Sequence, residues 1–464
     1  MLIVGGNQSA AGYDIDNSLR FDQGSNDYLN RTPSAGNTKT WTWSGWVKRG
    51  KLASADGIFG ARTGGGLPEV YQFISSDVLQ FYNYTGSFQF NFSTTRVFRD
   101  TSAWYHIVFA YDSTQATSSN RFKLYVNGVQ ETSFSTATYP PLNYDSFMNS
   151  AVAHYIGAGS PADGNYFNGY LSEINFIDGQ QLDPTSFGEF DSDSGVWKPI
   201  PYTGSYGTNG FFLEFQNSAA LGTDSSGNGN TFTVNNLTSI DQTTDTPTNN
   251  FATMNPLAAQ GGSSAGPSGV TFSNGNLEVG SVIGETAIGN LGVDTGKWFW
   301  EVKVLTDQDG LAIGGANQYY NLDAELGYNS PSSPSDAKVF GYYGGNGTKF
   351  ITVGDGSQFT SYGSAIAVND IVGVALDLDG NQVTFYLNGS SQGTFSITAL
   401  GSGELYFPAV GNWSASAITT SFNFGSPAFT IASSNSDANG YGNFEYAVPS
   451  GYYALCTKNL AEFG

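Results

Sequence analysis

The feature that most constrains this chain is the period-two alternation of apolar and polar residues, which recurs along most of its length. Clear examples are WTWSGWV at 41–47, YHIVFAYD at 105–112, WFWEVKV at 298–304 and VTFYL at 383–387. Aromatic and β-branched residues in such runs suit pleated, half-buried strands, and clusters of Gly, Asn, Asp and Pro separate the runs. Helical periodicity is hard to find. The sequence therefore predicts an all-β protein built from antiparallel sheets.

The length of 464 residues predicts two domains, because single hydrophobic cores stop growing well below this size. Between 199 and 274 the composition shifts to turn formers, interrupted by short apolar pieces such as FFLEF at 211–215. We therefore expect two antiparallel, jelly-roll-like β-sandwiches in tandem, at 1–198 and 275–464. The segment 199–274 is predicted to be a partly packed connector.

Two similar phrases, LYVNG at 124–128 and FYLNG at 385–389, each end a predicted strand with Asn-Gly. Both residues tolerate a positive φ angle, so the pair predicts a type I′ turn that reverses the chain into a hairpin. The residues flanking the two phrases do not match. We therefore favour convergence of two sandwiches on one hairpin over duplication of a domain.

The charge and the cysteine count exclude several classes of protein. Seventeen basic residues against 39 acidic ones give a net charge of −22, so nucleic acid and anionic membranes are not expected partners. The single cysteine, Cys456, rules out an intrachain disulfide bond. The N-terminal stretch lacks the basic region of a signal peptide, and no later apolar run is long enough to insert into a membrane. We expect synthesis in a cytoplasm without export by the usual signal.

Several segments of the first half occur together in one known family. They are SLRF at 18–21, TWTWSGWVKRG at 40–50, AWYHIVFAYD at 103–112, FKLYVNGVQ at 122–130, YIGAG at 155–159 and FNGYLSEINFIDGQQL at 167–182. With these motifs, residues 14–197 resemble the laminin-G-like, concanavalin A-like lectin superfamily. The resemblance implies a bent sandwich of two antiparallel sheets that binds ligands through loops at one rim.

A different family accounts for the second half. The matching segments are TGKWFWEVKV at 295–304, LAIGGA at 311–316, VFGYYGGNGTKF at 339–350, NDIVGVALDLDGNQVTFYLNGSSQGTF at 369–395, LYFPAV at 405–410 and SFNFGSPAF at 421–429. Residues 275–464 therefore look like a SPRY domain, which implies a second sandwich that also binds through rim loops. The order of the two modules, with DSSGNGN between them, is similar to that in virion proteins of tailed bacteriophages, especially marine ones.

The sequence contains no strong pattern of catalytic residues. Concanavalin A-like folds include glycoside hydrolases, whose retaining members need two carboxylates about 5 Å apart. In SEINFIDG at 172–179, alternation places Glu173 and Asn175 on one face of the strand and Asp178 on the other, so no pair forms. His106 lies within a predicted strand, where we expect a structural role, and Cys456 has no base nearby in sequence. We therefore expect no enzyme, with polysaccharide degradation as a remote alternative.

One loop is a candidate calcium site. TDSSGNGN at 223–230 presents Asp224, Asn228 and Asn230, together with glycines that free backbone carbonyls, and calcium takes six to eight oxygen ligands. Similar stretches accompany calcium in some laminin-G-like modules. The alternative is a tight turn held by Asx side chains without an ion, which the small number of carboxylates favours. No other cofactor is expected.

Candidate ligand contacts are aromatic residues in predicted rim loops, since sugar rings stack on Tyr and Trp while Asn and Asp read hydroxyl groups. In the second half these are Tyr319, Tyr320 and Asp323, with Tyr342 and Tyr343 as further candidates. In the first half they are Tyr82 and Tyr84. With 27 tyrosines in the chain, sheet packing or a subunit interface is the alternative for each of them.

Two hypotheses for the function follow from the virion resemblance. The first is a tail-fibre or spike adhesin that binds a host-surface glycan or protein through rim loops without catalysis. The second is a structural protein that decorates the capsid or tail through its sandwich faces. Both place the protein in the virion, among other virion proteins, after synthesis in the host cytoplasm. Homo-oligomers are expected, because symmetry and multivalency strengthen a weak sugar site.

Overall fold

A computed structural model describes residues 12–258, 269–281, 284–307, 309–320, 326–327, 336–353 and 356–464. The chain divides into two compact units, with the boundary between Thr248 and Asn249. Each unit is a β-sandwich. Among the described strands, all pairings are antiparallel except one, so the predicted fold class of two tandem antiparallel sandwiches is confirmed.

The described residues of the first unit form twenty strands. They are β1 Ser18–Phe21, β2 Tyr28–Arg31, β3 Thr40–Arg49, β4 Asp56–Arg62, β5 Pro68–Phe73, β6 Val78–Tyr84, β7 Phe88–Val97, β8 Trp104–Asp112, β9 Phe122–Val126, β10 Val129–Glu131, β11 Phe134–Thr138, β12 Ala153–Ile156, β13 Ala158–Ser160, β14 Asn165–Tyr166, β15 Gly169–Asp178, β16 Gly188–Phe190, β17 Trp197–Pro199, β18 Phe211–Leu213, β19 Thr233–Asn235 and β20 Gln242–Thr243. Short 3₁₀ turns lie at Ser118–Asn120, Pro161–Asp163, Pro184–Ser186 and Ser239–Asp241.

Two large sheets form the sandwich of the first unit. Sheet 1 has the order β10-β9-β8-β3-β15-β1-β20, with β18 pairing to β15, and sheet 2 has the order β11-β7-β6-β5-β4-β12-β2-β19. Alternation places the rings of Trp41, Trp43 and Phe109 from sheet 1 against Tyr71 and Phe81 from sheet 2. The core is thus largely aromatic, as the runs of alternating Trp, Phe and Tyr predicted.

The outer face of sheet 1 is covered by other parts of the same unit. Trp197, from the β16–β17 hairpin, packs with Trp46, Trp104 and Tyr170 of the sheet and with Ile15 of the N-terminal segment. The outer face of sheet 2 is only partly covered, by the β13–β14 hairpin. At Gly57 and Gly60 this hairpin approaches so closely that a Cβ would lie 1.9 Å from its backbone atoms.

The described residues of the second unit form fourteen strands and one short α-helix. They are β21 Thr271–Ser273, β22 Glu278–Ser281, β23 Glu285–Ile288, β24 Lys297–Thr306, β25 Leu311–Asn317, β26 Lys338–Tyr343, β27 Thr348–Val353, β28 Gly356–Ser361, β29 Ile371–Asp377, β30 Gln382–Leu387, β31 Ser390–Ser396, β32 Tyr406–Asn412, β33 Ile418–Asn423, β34 Tyr453–Ala454 and α1 Thr457–Phe463, with a 3₁₀ turn at Thr398–Leu400.

The second sandwich is also made of two sheets. Sheet 3 has the order β21-β22-β33-β24-β29-β30-β31, with β34 pairing parallel to β24, and sheet 4 has the order β23-β32-β25-β26-β27-β28. Trp298, Trp300 and Phe385 of sheet 3 pack in the core with Ile313 and Phe340 of sheet 4. The glycine-containing strands β25 and β29 are buried along their whole length, and this burial stabilises them despite their glycines.

The outer face of sheet 3 is covered by the two ends of this unit. Phe444 and Cys456, from the C-terminal segment, and Phe251, from the start of the unit, pack against Phe299 and Ala375 of the sheet. The carboxylate of Glu301 on this face accepts backbone hydrogen bonds from Glu445 and Tyr446, at 3.0 and 2.8 Å. The C-terminal segment is therefore fixed by both apolar packing and hydrogen bonds.

The predicted connector is divided between the two units. Residues 199–248 contribute β18, β19 and β20 to the first unit, where β18 pairs with the middle of β15. Residues from 249 onward belong to the second unit, and β21 joins the edge of sheet 3. FFLEF lies largely within β18, with Phe211, Leu213 and Phe215 in the core.

Both Asn-Gly pairs form the predicted turns. Asn127 and Gly128 have φ angles of 48° and 78°, and Asn388 and Gly389 have 48° and 77°, so each pair has the two positive φ angles that a type I′ turn requires. The first turn joins β9 to β10 and the second joins β30 to β31. Within the part of the chain that is described, no helix is long and apolar enough to span a membrane.

Candidate binding surfaces

The predicted tyrosines on β26 point to opposite faces of sheet 4. Tyr342 is fully buried in the core, where its ring lies 5.5 Å from that of Phe385. Tyr343 lies on the outer face, against Trp413 at 5.3 Å, and its hydroxyl donates to the carbonyl of Asp309. Alternation along the strand explains the difference. Tyr342 therefore has no surface to offer a ligand, and Tyr343 is engaged in packing.

The other predicted pair in this unit follows β25. Tyr320 is buried with Ala316, Leu326 and Val339 on the outer face of sheet 4, whereas Tyr319 is 49% exposed. Asp323 lies outside the described residues. Of the predicted side chains that can be placed here, only Tyr319 presents a large exposed surface.

The backbone beneath Tyr319 is held by a small polar network. The amide of Gln318 donates to the carbonyl of Leu405 at 3.1 Å, and the amide of Leu405 donates back to Gln318 Oε1 at 2.8 Å. Next to them, Lys338 forms a 2.7 Å ion pair with Glu404. Hydrogen bonds therefore hold the backbone next to Tyr319 in place. Among the described residues, no second exposed ring lies beside it.

The first unit has a cluster of three rings at the end of the β6–β7 hairpin. Phe88 lies 5.6 Å from Tyr82 and 5.3 Å from Tyr84, both in edge-to-face geometry. Tyr84 is 38% exposed and Phe88 is 51% exposed. We call Tyr82, Tyr84 and Phe88 the hairpin patch. It includes both residues predicted in this half, and it adds Phe88.

Polar groups lie beside the hairpin patch on the outer face of sheet 2. Asn91 is directly opposite Tyr82 in the strand register, so their side chains share this face. The side-chain oxygen Oδ1 of Asn91 is buried and has no hydrogen-bond partner among the residues that the structure describes. Burial raises the pKa of Tyr82, and the nearby Asp163 carboxylate raises it further. Asp163 itself is ion-paired with Arg62.

A row of side-chain amides continues across the same face. Gln72 donates to Gln80 at 2.9 Å, Gln80 reaches Ser93 Oγ at 3.5 Å, and Asn165 of the covering hairpin donates to Gln72. Such a row can donate to and accept from hydroxyl groups. The open part of sheet 2 thus combines exposed rings with amides.

The predicted calcium loop is organised by hydrogen bonds to its carboxylate. Asp224 accepts from the backbone N–H groups of Phe212, Ser226 and Asn230 at 2.7–2.9 Å. The side-chain nitrogens of Asn228 and Asn230 both donate to the carbonyl oxygen of Gly210. Donors therefore surround the oxygens that a cation would need, and the loop as placed does not fit calcium. Calcium binding by these three residues stays a prediction.

Glu173 occupies an unusual position in β15. Its φ angle is +50°, at a bulge where the pairing register with β3 shifts, and it accepts a 2.9 Å hydrogen bond from Tyr13. Burial raises the pKa of its carboxyl to about 7; Glu214 and Asp16 add to the rise, and the Tyr13 hydrogen bond opposes it. Alternation did not predict this bulge.

In the one Ser–His contact found in the first unit, the histidine donates to the serine and so cannot activate it as a nucleophile. Ser44 Oγ lies 2.8 Å from Nε2 of His106, and Trp197 donates to Nδ1 of the same ring at 3.0 Å. Since Nδ1 accepts, the neutral ring carries its proton on Nε2 and donates it to Ser44. Burial lowers the pKa of His106 to about 3. This histidine therefore holds the Trp197 segment in place and cannot act as a general base.

Family models match both units. The model described as the concanavalin A-like lectin/glucanases superfamily matches residues 23–183, and the SPRY domain model matches residues 297–426. The ATP-dependent RNA helicase Ddx1 of Drosophila melanogaster is 33% identical over 141 residues, which are 30% of this chain. The chain spans only 17% of the length of that relative.

Solved structures with similarity to the chain include the SPRY domain of human HERC1, with 17% identity and a TM-score of 0.28, covering 36% of this chain and 96% of that one. A heptameric SAP-like pentraxin from Limulus polyphemus has 16% identity and a TM-score of 0.29, covering 37% of this chain and 80% of that one. The two family models show that the chain combines a domain of the concanavalin A-like lectin/glucanase type with a SPRY domain, and both are binding-type folds.

Proposed function

We propose that this protein is a tail-fibre or spike-type adhesin of a tailed bacteriophage, which binds a host-surface glycan or protein without catalysing a reaction on it. The observation that carries the proposal is the hairpin patch, where Tyr84 and Phe88 expose their rings side by side. Contiguous exposed apolar groups often mark an interaction site, and these two rings are adjacent. The virion setting rests on the order of the two modules in the sequence.

The chemistry of the hairpin patch suits a sugar. Ring faces stack on the apolar C–H face of a pyranose. The half-buried amide of Gln80, whose only hydrogen bond as a donor among the described residues is a long one of 3.5 Å to Ser93 Oγ, offers a donor beside the rings. A flat site of this type binds weakly, so several copies in one particle would be needed for firm attachment to a cell.

The test is binding of the full chain to arrays of bacterial surface polysaccharides and to cells that the phage infects. The double variant Tyr84→Ala with Phe88→Ala should lose at least about tenfold in apparent affinity, since stacking on each ring contributes about 1 kcal/mol or more. Tyr319→Ala, which removes one exposed ring from the other unit, is the matched control and should bind as the unchanged protein does. Equal binding by the double variant would refute this assignment.

A second candidate function is decoration of the capsid or tail. Phe190 and Val196 flank the polar 191–195 turn of the β16–β17 hairpin and are 52% and 59% exposed, and two exposed apolar side chains favour a protein contact. Replacing both by Ser should then reduce incorporation into particles while leaving attachment to polysaccharide intact. If instead the hairpin patch variant fails to enter particles, the patch is an assembly surface and the adhesin proposal fails. Release of reducing ends from polysaccharide would point to an enzyme.

A further inference from the structure

Residues 12–16, which precede β1, lie along the outer face of sheet 1, and we call them the strap. Ile15 is 4% exposed and packs with Trp46 and Tyr170 of the sheet. Its amide donates to Thr248 Oγ1 at 3.0 Å, and its carbonyl accepts from the same hydroxyl at 3.1 Å. Apolar packing and hydrogen bonds at Ile15 therefore hold this part of the strap in place.

The start of the strap contacts a buried carboxyl group. The hydroxyl of Tyr13 donates to Glu173 Oε2 at 2.9 Å, and Glu173 is 8% exposed. Among the described residues, no other donor reaches the oxygens of this carboxyl. Lifting the strap would therefore remove the hydrogen-bond partner of Glu173 and give its carboxyl access to water.

The titratable groups that face Glu173 carry no positive charge. Asp16 belongs to the strap itself, and Glu214 follows β18, which pairs with β15 beside Glu173. The hydroxyl of Tyr206 interacts with Glu173 as well, but it donates to Asn175 at 2.9 Å. No Lys, Arg or His is among the described groups that act on this carboxyl. A negative charge on Glu173 would therefore be repelled and would have no cation to pair with.

The backbone next to these carboxyl groups is strained. Glu173 has a φ angle of +50° at the bulge of β15, and Phe215, directly after Glu214, has one of +56°. Residues with a Cβ rarely adopt such angles, which persist only where the surrounding structure holds them. Strained residues of this kind cluster at ligand sites and in regions that switch between two states.

We propose that Glu173 is a pH-sensitive latch for the strap: the protonated carboxyl holds Tyr13 on sheet 1, and the ionised carboxylate releases residues 12–16. The protonated group can accept the Tyr13 hydrogen bond at its carbonyl oxygen. The ionised group is a buried charge beside Glu214 and Asp16. Release of the strap moves Asp16 away and lets water solvate the charge, so the open state gains at high pH.

The direction of the switch follows from the proton affinity of the two states. Burial raises the pKa of Glu173 to about 7 with the strap docked, and the Tyr13 hydrogen bond does not reverse this rise. With the strap lifted, we expect the pKa to return toward its ordinary 4.5. Docking is therefore fully supported below about pH 4.5 and loses this support as the pH rises through about 7. Between about pH 5 and pH 8, the ratio of docked to open strap should fall by about 10- to 70-fold.

The test is hydrogen–deuterium exchange of the full chain at about pH 5 and pH 8, read by mass spectrometry of the peptide that contains residues 12–16. After correction for the intrinsic exchange rate, protection of the strap amides should be about 10- to 70-fold lower at the higher pH. Glu173→Gln keeps an acceptor for Tyr13 but has no proton to lose, so its strap should stay protected at both pH values.

Two further variants complete the test. Glu301→Gln is the matched control, because its carboxyl is also buried but lies in the second unit, and its strap should keep the pH dependence of the unchanged protein. Tyr13→Phe keeps the ring but removes the hydroxyl. Its strap should be roughly fivefold less protected at the lower pH, which is the usual contribution of one hydrogen bond.

Other results would overturn the latch. Equal protection of the strap at both pH values in the unchanged protein would show that this carboxyl does not control it, and so would a pH dependence that survives in Glu173→Gln. A loss of protection spread over all strands of the first unit would mean that ionisation destabilises the whole sandwich instead of the strap. If Glu173→Gln does not fold, the unchanged protein and Tyr13→Phe still decide, because a strap held by Glu173 must lose protection in both.

Discussion

The two sandwiches use the same turn in the same way but anchor their covering segments differently. Gly128 lies under the ring of Trp197, and Gly389 lies under the ring of Tyr446, so a Cβ at either glycine would approach the ring to 2.3 or 2.6 Å. In both units, therefore, the Asn-Gly turn also receives an aromatic side chain from the segment that covers the outer face. The same Asn-Gly turn therefore contacts two covering segments of unrelated sequence.

The anchors beyond the turn differ in their chemistry. In the first unit, Lys48 and Asp245 form a 2.7 Å ion pair in which both side chains are 1% exposed, and Trp104 donates to the same carboxylate at 3.3 Å. In the second unit, Glu301 holds its segment through backbone donors and Asn423. The Lys48–Asp245 pair and the Glu301 contacts should therefore respond differently to loss of a charge and to pH.

The largest effect should come from removing the positive charge of the buried Lys48–Asp245 ion pair. Lys48→Met leaves the carboxylate of Asp245 buried without its cation, which should lower the free energy of unfolding of the first unit by about 3–5 kcal/mol. Chemical denaturation followed by tryptophan fluorescence measures this. Lys39→Met is the control, because its ion pair with Asp145 is exposed and should contribute at most about 1 kcal/mol. Similar losses in both variants would remove the distinction between the anchors.

The shared turn should give the next largest effect, and it should be equal in the two units. Gly128→Ala and Gly389→Ala each add backbone strain and displace a ring, so each should destabilise its own unit by about 3 kcal/mol. Gly227→Ala is the control, since its φ is +87° but no atom lies within 4 Å of the added Cβ, leaving about 1 kcal/mol of strain. If all three variants lose the same stability, the aromatic contacts add nothing to the turn.

The anchor of the second unit should respond to pH. Burial raises the pKa of Glu301 to about 7 from its ordinary 4.5, although three hydrogen bonds favour the charged form. The folded state thus holds this proton more tightly than the unfolded state. Stability from Glu301 is intact below about pH 4.5 and is lost as the pH rises to about 7, with a change of about 3 kcal/mol.

Urea denaturation of the second unit between pH 4.5 and 8 checks this prediction. Glu301→Gln should lower the overall stability but remove this part of the pH dependence. The first unit keeps its own pH dependence in that variant, because Glu173 is unchanged and burial also raises its pKa to about 7. An unaltered slope for the second unit in Glu301→Gln would show that Glu301 does not titrate in this range.

The smallest effect on stability is expected at the exposed rings. Tyr84→Ala with Phe88→Ala, and separately Tyr319→Ala, should each change the free energy of unfolding by no more than about 0.5 kcal/mol, as is usual for surface positions. Thermal unfolding of the variants measures this. A larger loss in either variant would mean that the rings hold a loop in place, and any loss of binding would then need to be reassigned.

Much of the fold could be predicted from local pattern. Alternation predicted the strands and the aromatic core, and the Asn-Gly pairs predicted both hairpins. These predictions succeed because each pattern depends only on residues that are adjacent in sequence. The pairing of β18 with the middle of β15 could not be predicted in this way, since it depends on a bulge at Glu173 and on a partner some forty residues further along the chain. Such pairings are set by packing.

The surface residues were harder to predict for the same reason. Tyr342 belongs to an alternating strand, and its burial could have been read from that pattern. Tyr320 is buried by a contact with Leu326 and Val339 that no local rule reveals. Phe88 was missed because it lies beyond the turn that separates it from Tyr84. Tyr13 meets Glu173 only in the folded chain.

The lone thiol of the second unit has a practical consequence. Cys456 is fully buried on the outer face of sheet 3, burial raises its pKa to about 12, and the chain has no other cysteine. A disulfide reagent such as Ellman's can therefore label the protein only when the C-terminal segment lifts from the sheet. The labelling rate reports the free energy and frequency of that local opening in an otherwise unmodified molecule.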